Sequence, residues 1–338
     1  MQRILFLLLF FSATLMAQPT YQPSPANLQS RAEFRDMKFG IFLHWGIYSV
    51  FGQGEWYMSV DSIQQNEYAK AAGAFYPAGF DADEWVRHFK EAGAKYICFT
   101  SRHHDGFSMW HTRQSSYNIV DATPFRRDVL KELADACHRQ GMRLHLYYSL
   151  VDWGRPDYPL GQSGTGCGKN VSQADYAHYF DFMKAQLTEL LTEYGPIGSI
   201  WLDGEWDHAD ETPAFDWRLE ELYDLIHTLQ PACLVANNHH HENRPGEDIQ
   251  CFERDVPGES KGGYEGKADV SKVLPLETCQ TMNFSWGYKA SDIWYRSVEE
   301  LRALRDNTNA KGANLLLNIG PRPDGRLPET ALDRLKQL

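Results

Sequence analysis

Short apolar stretches alternate with amphipathic segments along most of this 338-residue sequence. Eight of the apolar stretches have the length of β-strands: residues 40–45, 96–100, 144–149, 199–202, 233–236, 248–252, 274–278 and 313–319. Helical patterns lie between many of them, at 83–92, 127–140, 174–194, 215–229 and 298–310, and a last one follows at 328–338. The alternation predicts parallel strands joined by right-handed crossovers. Eight strands with a terminal helix favour an α/β protein of the TIM-like (β/α)8 barrel class over an open sheet.

In such a barrel, the functional side chains lie at the carboxyl ends of the strands. Polar and aromatic residues end most of the predicted strands: His44, His103, His104, Tyr147, Asp203, Glu253 and Glu277. We therefore predict that these side chains gather at one rim of the barrel. No GxGxxG motif follows the first strand, so nothing indicates a dinucleotide site.

Asp203 follows a strand-like run in the stretch GSIWLDGEWDH, residues 198–208. A helix N-cap or a solvated loop acid is the ordinary explanation for an aspartate. Here the apolar run with Trp201 leads directly into the carboxylate, where capping is less natural. A functional carboxylate at a strand end is the favoured interpretation.

The pair His103-His104 raises the possibility of a metal site. Adjacent side chains on a strand point to opposite faces, so they rarely bind one ion, and no further ligands follow at zinc spacing. Hydrogen bonding to a polar ligand is favoured for at least one of the pair, and the run His239-His240-His241 is explained equally well by a polar loop. We predict no metal and no organic cofactor.

Aromatic residues are abundant, with 10 Trp and 17 Tyr, and aromatic-rich clefts suit neutral, flat-faced ligands such as sugars. Glu55 and Trp56 lie on a glycine-rich loop after the first strand. They could bind a sugar hydroxyl or hold the loop in place, and the sequence does not separate these alternatives.

The formal net charge is −12, and no basic stripe is present, which argues against a nucleic-acid partner. Residues 1–17 form a short apolar run behind Arg3 and predict a secretory signal peptide, followed by one catalytic domain at 18–338 and a secreted or periplasmic location. No other stretch is long enough to cross a membrane, so no membrane partner is expected after signal removal. Nothing in the sequence indicates an oligomeric state.

The motifs together resemble the retaining α-L-fucosidases of glycoside hydrolase family 29. The matching stretches are MKFGIFLHWGIYSV, GEWY, TSRHHDGFSMW, RRDVLKELADACHRQGMRLHLYYS, IWLDGEW, LETCQTMNFSWGY and KGANLLLNIGPRPDG, in the family's order. The resemblance implies a fucosylated oligosaccharide or glycoconjugate as substrate. It also implies Asp203 as the catalytic nucleophile, and it places on ring-binding or ring-walling positions the residues His44, Glu55, Trp56, His103, His104, Tyr147, Trp201 and Trp286, the last near the methyl group at C5.

The acid/base residue is less clearly implied, because the family carries it on a variable segment. Aligning DIQCFERDVPG with that segment gives Glu253, and the alternative is Glu277 in the LETC motif. The chain departs from the family where Asn237-Asn238-His239-His240 replaces Asn-Asp-Arg-Trp, so an arginine near the nucleophile is missing or supplied from elsewhere. Many members continue into a C-terminal β-sandwich, whereas this sequence stops at the last barrel helix, so we expect either a catalytic domain alone or a fragment.

Three other functions are compatible with parts of the pattern. A barrel could bind fucosylated glycans without cleaving them if the second carboxylate does not reach the site. A metal-dependent hydrolase would use the histidine pairs, and an L-galactosidase would act on a sugar of the same ring stereochemistry. The sequence does not predict the fucosidic linkage.

Overall fold

A computed structural model describes residues 21–259, 261 and 269–338. The predicted signal peptide, residues 1–17, lies outside the described residues. Eight strands form the sheet: β1 (Phe39–Leu43), β2 (Tyr96–Arg102), β3 (Arg143–Ser149), β4 (Ser199–Asp203), β5 (Leu234–Asn237), β6 (Gln250–Glu253), β7 (Leu276–Thr281) and β8 (Ala313–Ile319).

All paired strands are parallel, in the order β5-β4-β3-β2-β1-β8-β7-β6. The two ends of this order meet through one parallel bridge, between Ala236 and Ile249. The amide N–H groups of Asp248 and Ile249 both donate to the carbonyl of Val235, at 2.8 and 3.1 Å. The predicted (β/α)8 barrel is therefore confirmed.

The strands are buried because side chains pack against both faces of the sheet. One cluster fills the barrel interior and includes Phe42, Tyr147, Trp201 and Leu316. A larger cluster joins the outer faces of the strands to the surrounding helices. The interior of the barrel is thus a packed core rather than an open channel.

The longer helices are α1 (Pro25–Arg35), α5 (Ala82–Glu91), α6 (Val129–Gln140), α7 (Tyr176–Glu193), α8 (Leu219–Leu229), α9 (Val298–Ala310) and α10 (Glu329–Leu335), with short helices α2 (Tyr48–Phe51), α3 (Tyr57–Val60) and α4 (Gln65–Tyr68) after β1. Asp81, Asp128, Asp175 and Ser297 cap α5, α6, α7 and α9, each accepting a hydrogen bond from a backbone N–H of the first turn. Helices α6 and α7 begin two residues later than the apolar pattern predicts, whereas α5 begins one residue earlier and α9 begins as predicted. Among the described residues, no helix is long and apolar enough to cross a membrane.

Helix α1 was not predicted, whereas the helix-free segment between β5 and β6 agrees with the sequence pattern, which places no helix between residues 229 and 298. Helix α1 lies under the amino-terminal end of the barrel, where the ring of Phe34 packs 5.2 Å from that of Tyr96. Residues 238–249, between β5 and β6, contain no helix and form an irregular loop. The barrel is consequently closed below by α1 and left open above, at the carboxyl ends of the strands.

Candidate active site

A cavity of about 370 Å³ opens at the carboxyl ends of the strands. All the predicted site residues except Glu277 line it, together with side chains that the sequence analysis did not select. The predicted members are His44, Glu55, Trp56, His103, His104, Tyr147, Trp201, Asp203, Glu253 and Trp286; the additional ones are Phe42, Gln162, Trp206, Asn238, His240 and Cys279. Strands β1, β2, β3, β4, β6 and their following loops supply most of this set.

Asp203 is the last residue of β4 and projects into the cavity. The Tyr147 hydroxyl donates to its Oδ2 at 2.9 Å, and the Trp206 indole N–H donates to its Oδ1 at 3.2 Å. Burial raises the pKa of Asp203 to about 7, and the negative charge of Glu253 adds to this rise. Two donors thus orient a carboxylate that is largely removed from water.

Glu253 is the last residue of β6 and faces the same cavity. The side-chain amide of Asn238, just after β5, donates to Glu253 Oε2 at 2.7 Å. Asn238 also interacts with Asp203, where its hydrogen bond opposes the rise in the pKa of that carboxyl group. One amide therefore lies beside both carboxyl groups, and the two groups are close enough to influence each other electrostatically.

His44 is held in one tautomer by Asn318 at the end of β8. The amide nitrogen of Asn318 donates to the Trp286 carbonyl at 2.7 Å, so its oxygen faces His44 Nδ1, also at 2.7 Å. His44 Nδ1 must therefore carry the proton, and Nε2 is left as an acceptor. Burial lowers the pKa of His44 to about 3, so the ring is neutral at ordinary pH.

His104 is oriented in the same way by Ser149. The Ser149 hydroxyl donates to the carbonyl of Val151 at 2.8 Å and lies 2.6 Å from His104 Nδ1, which makes this nitrogen the donor. Nε2 of His104 then faces Asp203 Oδ2 at 3.6 Å. Burial lowers the pKa of His104 to about 3, so this contact joins a neutral ring to the carboxyl group. Because both atoms are acceptors when Asp203 is ionised, a ligand hydroxyl could donate its proton to either of them.

The loops after β1 and β7 meet at one wall of the cavity. Glu55 Oε2 accepts the backbone N–H of Gly287 at 2.7 Å, which fixes the neighbouring Trp286. The ring of Trp286 lies 5.1 Å from that of His44, and the Arg254 guanidinium lies 5.1 Å from the centre of the Trp286 ring. Glu55 therefore does hold the loops together, and an arginine reaches this wall from the end of β6, although none follows β5 directly.

Glu277 lies outside the cavity, so its expected place at a strand end was wrong. Strand β7 runs over Leu276–Thr281, three residues further than the predicted 274–278, and Glu277 is near its start. Its carboxylate accepts the Trp201 indole N–H at 2.9 Å and the Tyr96 hydroxyl at 2.6 Å, beneath the cavity floor. Glu277 is thus a buried support for Trp201.

The buried position of Glu277 predicts a pH-dependent stability. Burial raises the pKa of Glu277 from 4.5 to about 7, so the folded protein holds this proton more tightly than the unfolded chain. The resulting stabilisation is complete below pH 4.5 and is lost as the pH rises to about 7, with a slope of at most about 1.4 kcal/mol per pH unit. Glu277→Gln, which cannot titrate, should therefore gain free energy of unfolding relative to the wild type over this range. Urea unfolding of both proteins across the pH range measures the difference, and a constant difference would contradict the assignment.

Some cavity residues could have been found from the sequence. Asn238 follows β5 directly, and Trp206 comes three residues after Asp203 in the stretch GSIWLDGEWDH, so both could have been selected as residues that follow a strand end. Gln162 comes from the long loop after β3, where no local pattern marks it. Of the histidine run, His240 lines the cavity, while His239 Nε2 contacts the buried Glu247 at 2.9 Å.

Within the described part of the chain, no group of three or more His, Cys, Asp or Glu side chains is arranged to hold a metal ion. His103 stacks on Tyr147, with ring centroids 5.4 Å apart and planes 9° from parallel. Its Nδ1 is buried without a hydrogen-bond partner. The histidines thus present single nitrogen atoms to the cavity.

A (β/α)8 barrel with two carboxyl groups and several aromatic rings around one carboxyl-end cavity defines a glycoside hydrolase. The family model described as Alpha-L-fucosidase matches residues 8–338. The chain therefore belongs to the α-L-fucosidases, glycoside hydrolase family 29, and its activity is the hydrolysis of α-L-fucosides.

Curated relatives and solved structures agree with this membership. The chain is 30% identical to an α-L-fucosidase of Dictyostelium discoideum, over 100% of this chain and 76% of that protein. It is 32% identical to a plasma α-L-fucosidase of Rattus norvegicus, over 99% and 75% of the two chains. An α-L-fucosidase from Lactobacillus casei in complex with α-L-fucose product has a TM-score of 0.79, at 30% identity over 91% of this chain and 96% of that chain. α-L-Fucosidase isoenzyme 1 from Paenibacillus thiaminolyticus has a TM-score of 0.81, at 32% identity over 92% and 75%.

Proposed function

We propose that this chain hydrolyses terminal α-L-fucosyl residues of glycans or glycoconjugates with retention of configuration. Asp203 is the nucleophile, and Glu253 is the acid/base. The observation that carries the proposal is the pair of carboxyl groups facing one cavity, with the amide of Asn238 beside both. A non-catalytic binding barrel would need no such pair.

In the first step, Asp203 attacks the anomeric carbon, and Glu253 gives its proton to the departing glycosidic oxygen. The bond from Asp203 to the sugar forms as the bond to the leaving group breaks. The donors from Tyr147 and Trp206 stabilise the ionised carboxylate before attack and must then release it. In the second step, Glu253 takes a proton from water, which attacks the same carbon and frees Asp203.

The electrostatic interaction between the two carboxyl groups bears on their roles as nucleophile and acid/base. Burial and the charge of Glu253 both disfavour a second negative charge at Asp203. Protonation of Glu253 removes that negative charge and so favours the ionised form of Asp203. The state with Asp203 ionised and Glu253 protonated is the one that starts the reaction.

The remaining cavity residues bind the fucose ring. His44 and His104 present fixed acceptor nitrogens to sugar hydroxyl groups, and these bonds can strengthen as positive charge develops on the ring. Trp201 and Trp286 cover apolar faces, with Trp286 near the methyl group at C5. Solved structures of relatives contain ligands of the proposed type. One Lactobacillus casei structure contains α-L-fucose, and an aspartate-to-alanine variant of that enzyme contains Fucα(1,6)GlcNAc.

We also propose that residues 1–17 direct export and that the catalytic domain, 18–338, acts outside the cytoplasm or in the periplasm. The supporting observation is the short apolar run behind Arg3.

The stereochemistry of the first product tests the mechanism. Hydrolysis of 4-nitrophenyl α-L-fucoside, followed by proton NMR in the first minutes, should show α-L-fucose before mutarotation produces the β anomer. The same assay on the matching L-galactoside compares the two sugars. If β-L-fucose is formed first, the double displacement is wrong, although the fucosidase activity would stand.

A further inference from the structure

A second cavity, of about 400 Å³, adjoins the catalytic cavity on the side of the loops after β1 and β7. Glu55, Trp56 and Trp286 line both cavities, so the two cavities share this wall. We call the second cavity the outer groove; Arg254 lines it beside the shared wall, with its guanidinium over Trp286, and Phe284 and Lys289 line it as well. The outer groove therefore lies next to any part of a ligand that leaves the catalytic cavity on this side.

An exposed aromatic pair lies at the outer groove. Phe284 is 65% exposed and Trp294 is 41% exposed, and their rings stack with centroids 4.6 Å apart. The pair is held in place, since Asp292 Oδ2 accepts the backbone N–H groups of Phe284 and Ser285 at 3.0 and 2.8 Å. An aromatic face that is exposed yet fixed on a rigid loop is suited to stacking against the apolar face of a sugar.

The same groove offers hydrogen-bond donors. Arg254 Nη2 donates to the Phe284 carbonyl at 3.1 Å, and the guanidinium lies over Trp286. Lys289 is exposed at the edge of the groove, and no described carboxylate lies within ion-pair distance of it. Asp61 and Glu55 also line the groove, so its charges balance and favour a neutral ligand rather than an anionic one.

The direction of the groove agrees with the chemistry. The acid residue must contact the glycosidic oxygen, because it protonates that atom as the bond breaks. Arg254 is the residue directly after Glu253, and it lines the outer groove. The sugar attached to fucose therefore leaves the catalytic cavity beside the start of this groove.

We propose that the outer groove is the subsite for the leaving-group saccharide, with the Phe284–Trp294 pair as the stacking platform for one of its sugar rings. This inference depends on the proposed function and extends it, because it assigns the part of the protein that selects the glycan. The proposed ligand of the outer groove is a neutral saccharide, namely the part of the substrate to which fucose is attached. The catalytic cavity alone then binds fucose, and the outer groove distinguishes one fucosylated glycan from another.

The test compares two substrates that differ only in their use of the groove. α-L-Fucosyl fluoride has a leaving group of one atom, which cannot reach Phe284. The second substrate is whichever of 2′-fucosyllactose, 3-fucosyllactose and Fucα(1,6)GlcNAc the wild-type enzyme hydrolyses with the highest kcat/KM. Phe284→Ala should lower kcat/KM for the oligosaccharide by about three- to tenfold, mainly through KM, and change hydrolysis of the fluoride less than twofold. Trp294→Ala should act in the same direction.

Tyr76→Ala is the matched control, since Tyr76 is an aromatic residue with 57% exposure that lines neither cavity. It should leave both substrates unchanged. Equal losses on both substrates with Phe284→Ala, or no loss on either, would overturn the assignment of the groove. If the wild type hydrolyses neither substrate, the proposed function fails instead, so the two failures are distinguishable.

Discussion

Asp203→Ala should lose essentially all turnover of 4-nitrophenyl α-L-fucoside, with kcat falling on the order of 10⁴-fold or more, as for other enzymes deprived of their nucleophile. The loss is large because Asp203 is the group proposed to form the covalent intermediate. Added azide should restore part of the turnover, since it fits the space left by the carboxylate. It would attack from the face opposite the leaving group and give β-L-fucosyl azide.

The product makes this result specific. A variant that was merely misfolded would give no fucosyl azide, and thermal unfolding compared with the wild type checks the fold. If Asp203→Ala kept kcat within tenfold of the wild type, the nucleophile would have to be another group.

Glu253→Ala should have the second largest effect, and the effect should depend on the leaving group. On fucosylated oligosaccharides, kcat/KM should fall by about 10²- to 10⁴-fold, because the alkoxide leaving group needs a proton. The loss should be much smaller for 4-nitrophenyl α-L-fucoside, whose phenolate leaves without protonation. Azide should then attack the glycosyl-enzyme and give α-L-fucosyl azide, the opposite anomer from the Asp203 variant.

Glu277→Ala serves as the matched comparison for the acid/base. Its carboxylate lies under Trp201 and outside the cavity, so the variant should be less stable and should form no fucosyl azide. If azide rescued Glu277→Ala and not Glu253→Ala, the acid/base assignment would move to Glu277.

The barrel could be predicted because its strands are short, apolar and regularly separated by helices. The rim residues followed from the same pattern, since His44, Tyr147, Asp203 and Glu253 stand at or beside the ends of strands that were placed within a few residues. The error at Glu277 came from the boundary of one strand. A shift of three residues at its end moves a side chain from the cavity rim to the lower half of the barrel, because a strand rises about 3.3 Å per residue.

Other site features depend on contacts between distant segments, which no local pattern encodes. Gln162 reaches the cavity from an irregular loop, and Arg254 comes to lie over Trp286 only because β6 and β7 are adjacent. The sequence left two interpretations for Glu55, which were binding a sugar hydroxyl and holding its loop in place. Its hydrogen bond to the Gly287 backbone shows that it holds the loop. The tautomers of the histidines also require the positions of Asn318 and Ser149, which lie on other strands.

The single bridge between β5 and β6 has a mechanical consequence. Elsewhere in the barrel, neighbouring strands pair over longer ladders. Asp203 therefore lies on a strand, β4, that is hydrogen-bonded to a neighbour on each side. Glu253 ends the short strand β6, next to the place where β5 and β6 meet through a single bridge. We therefore expect the backbone at the proposed nucleophile to be held more tightly than the backbone at the proposed acid/base, which contacts the variable leaving group.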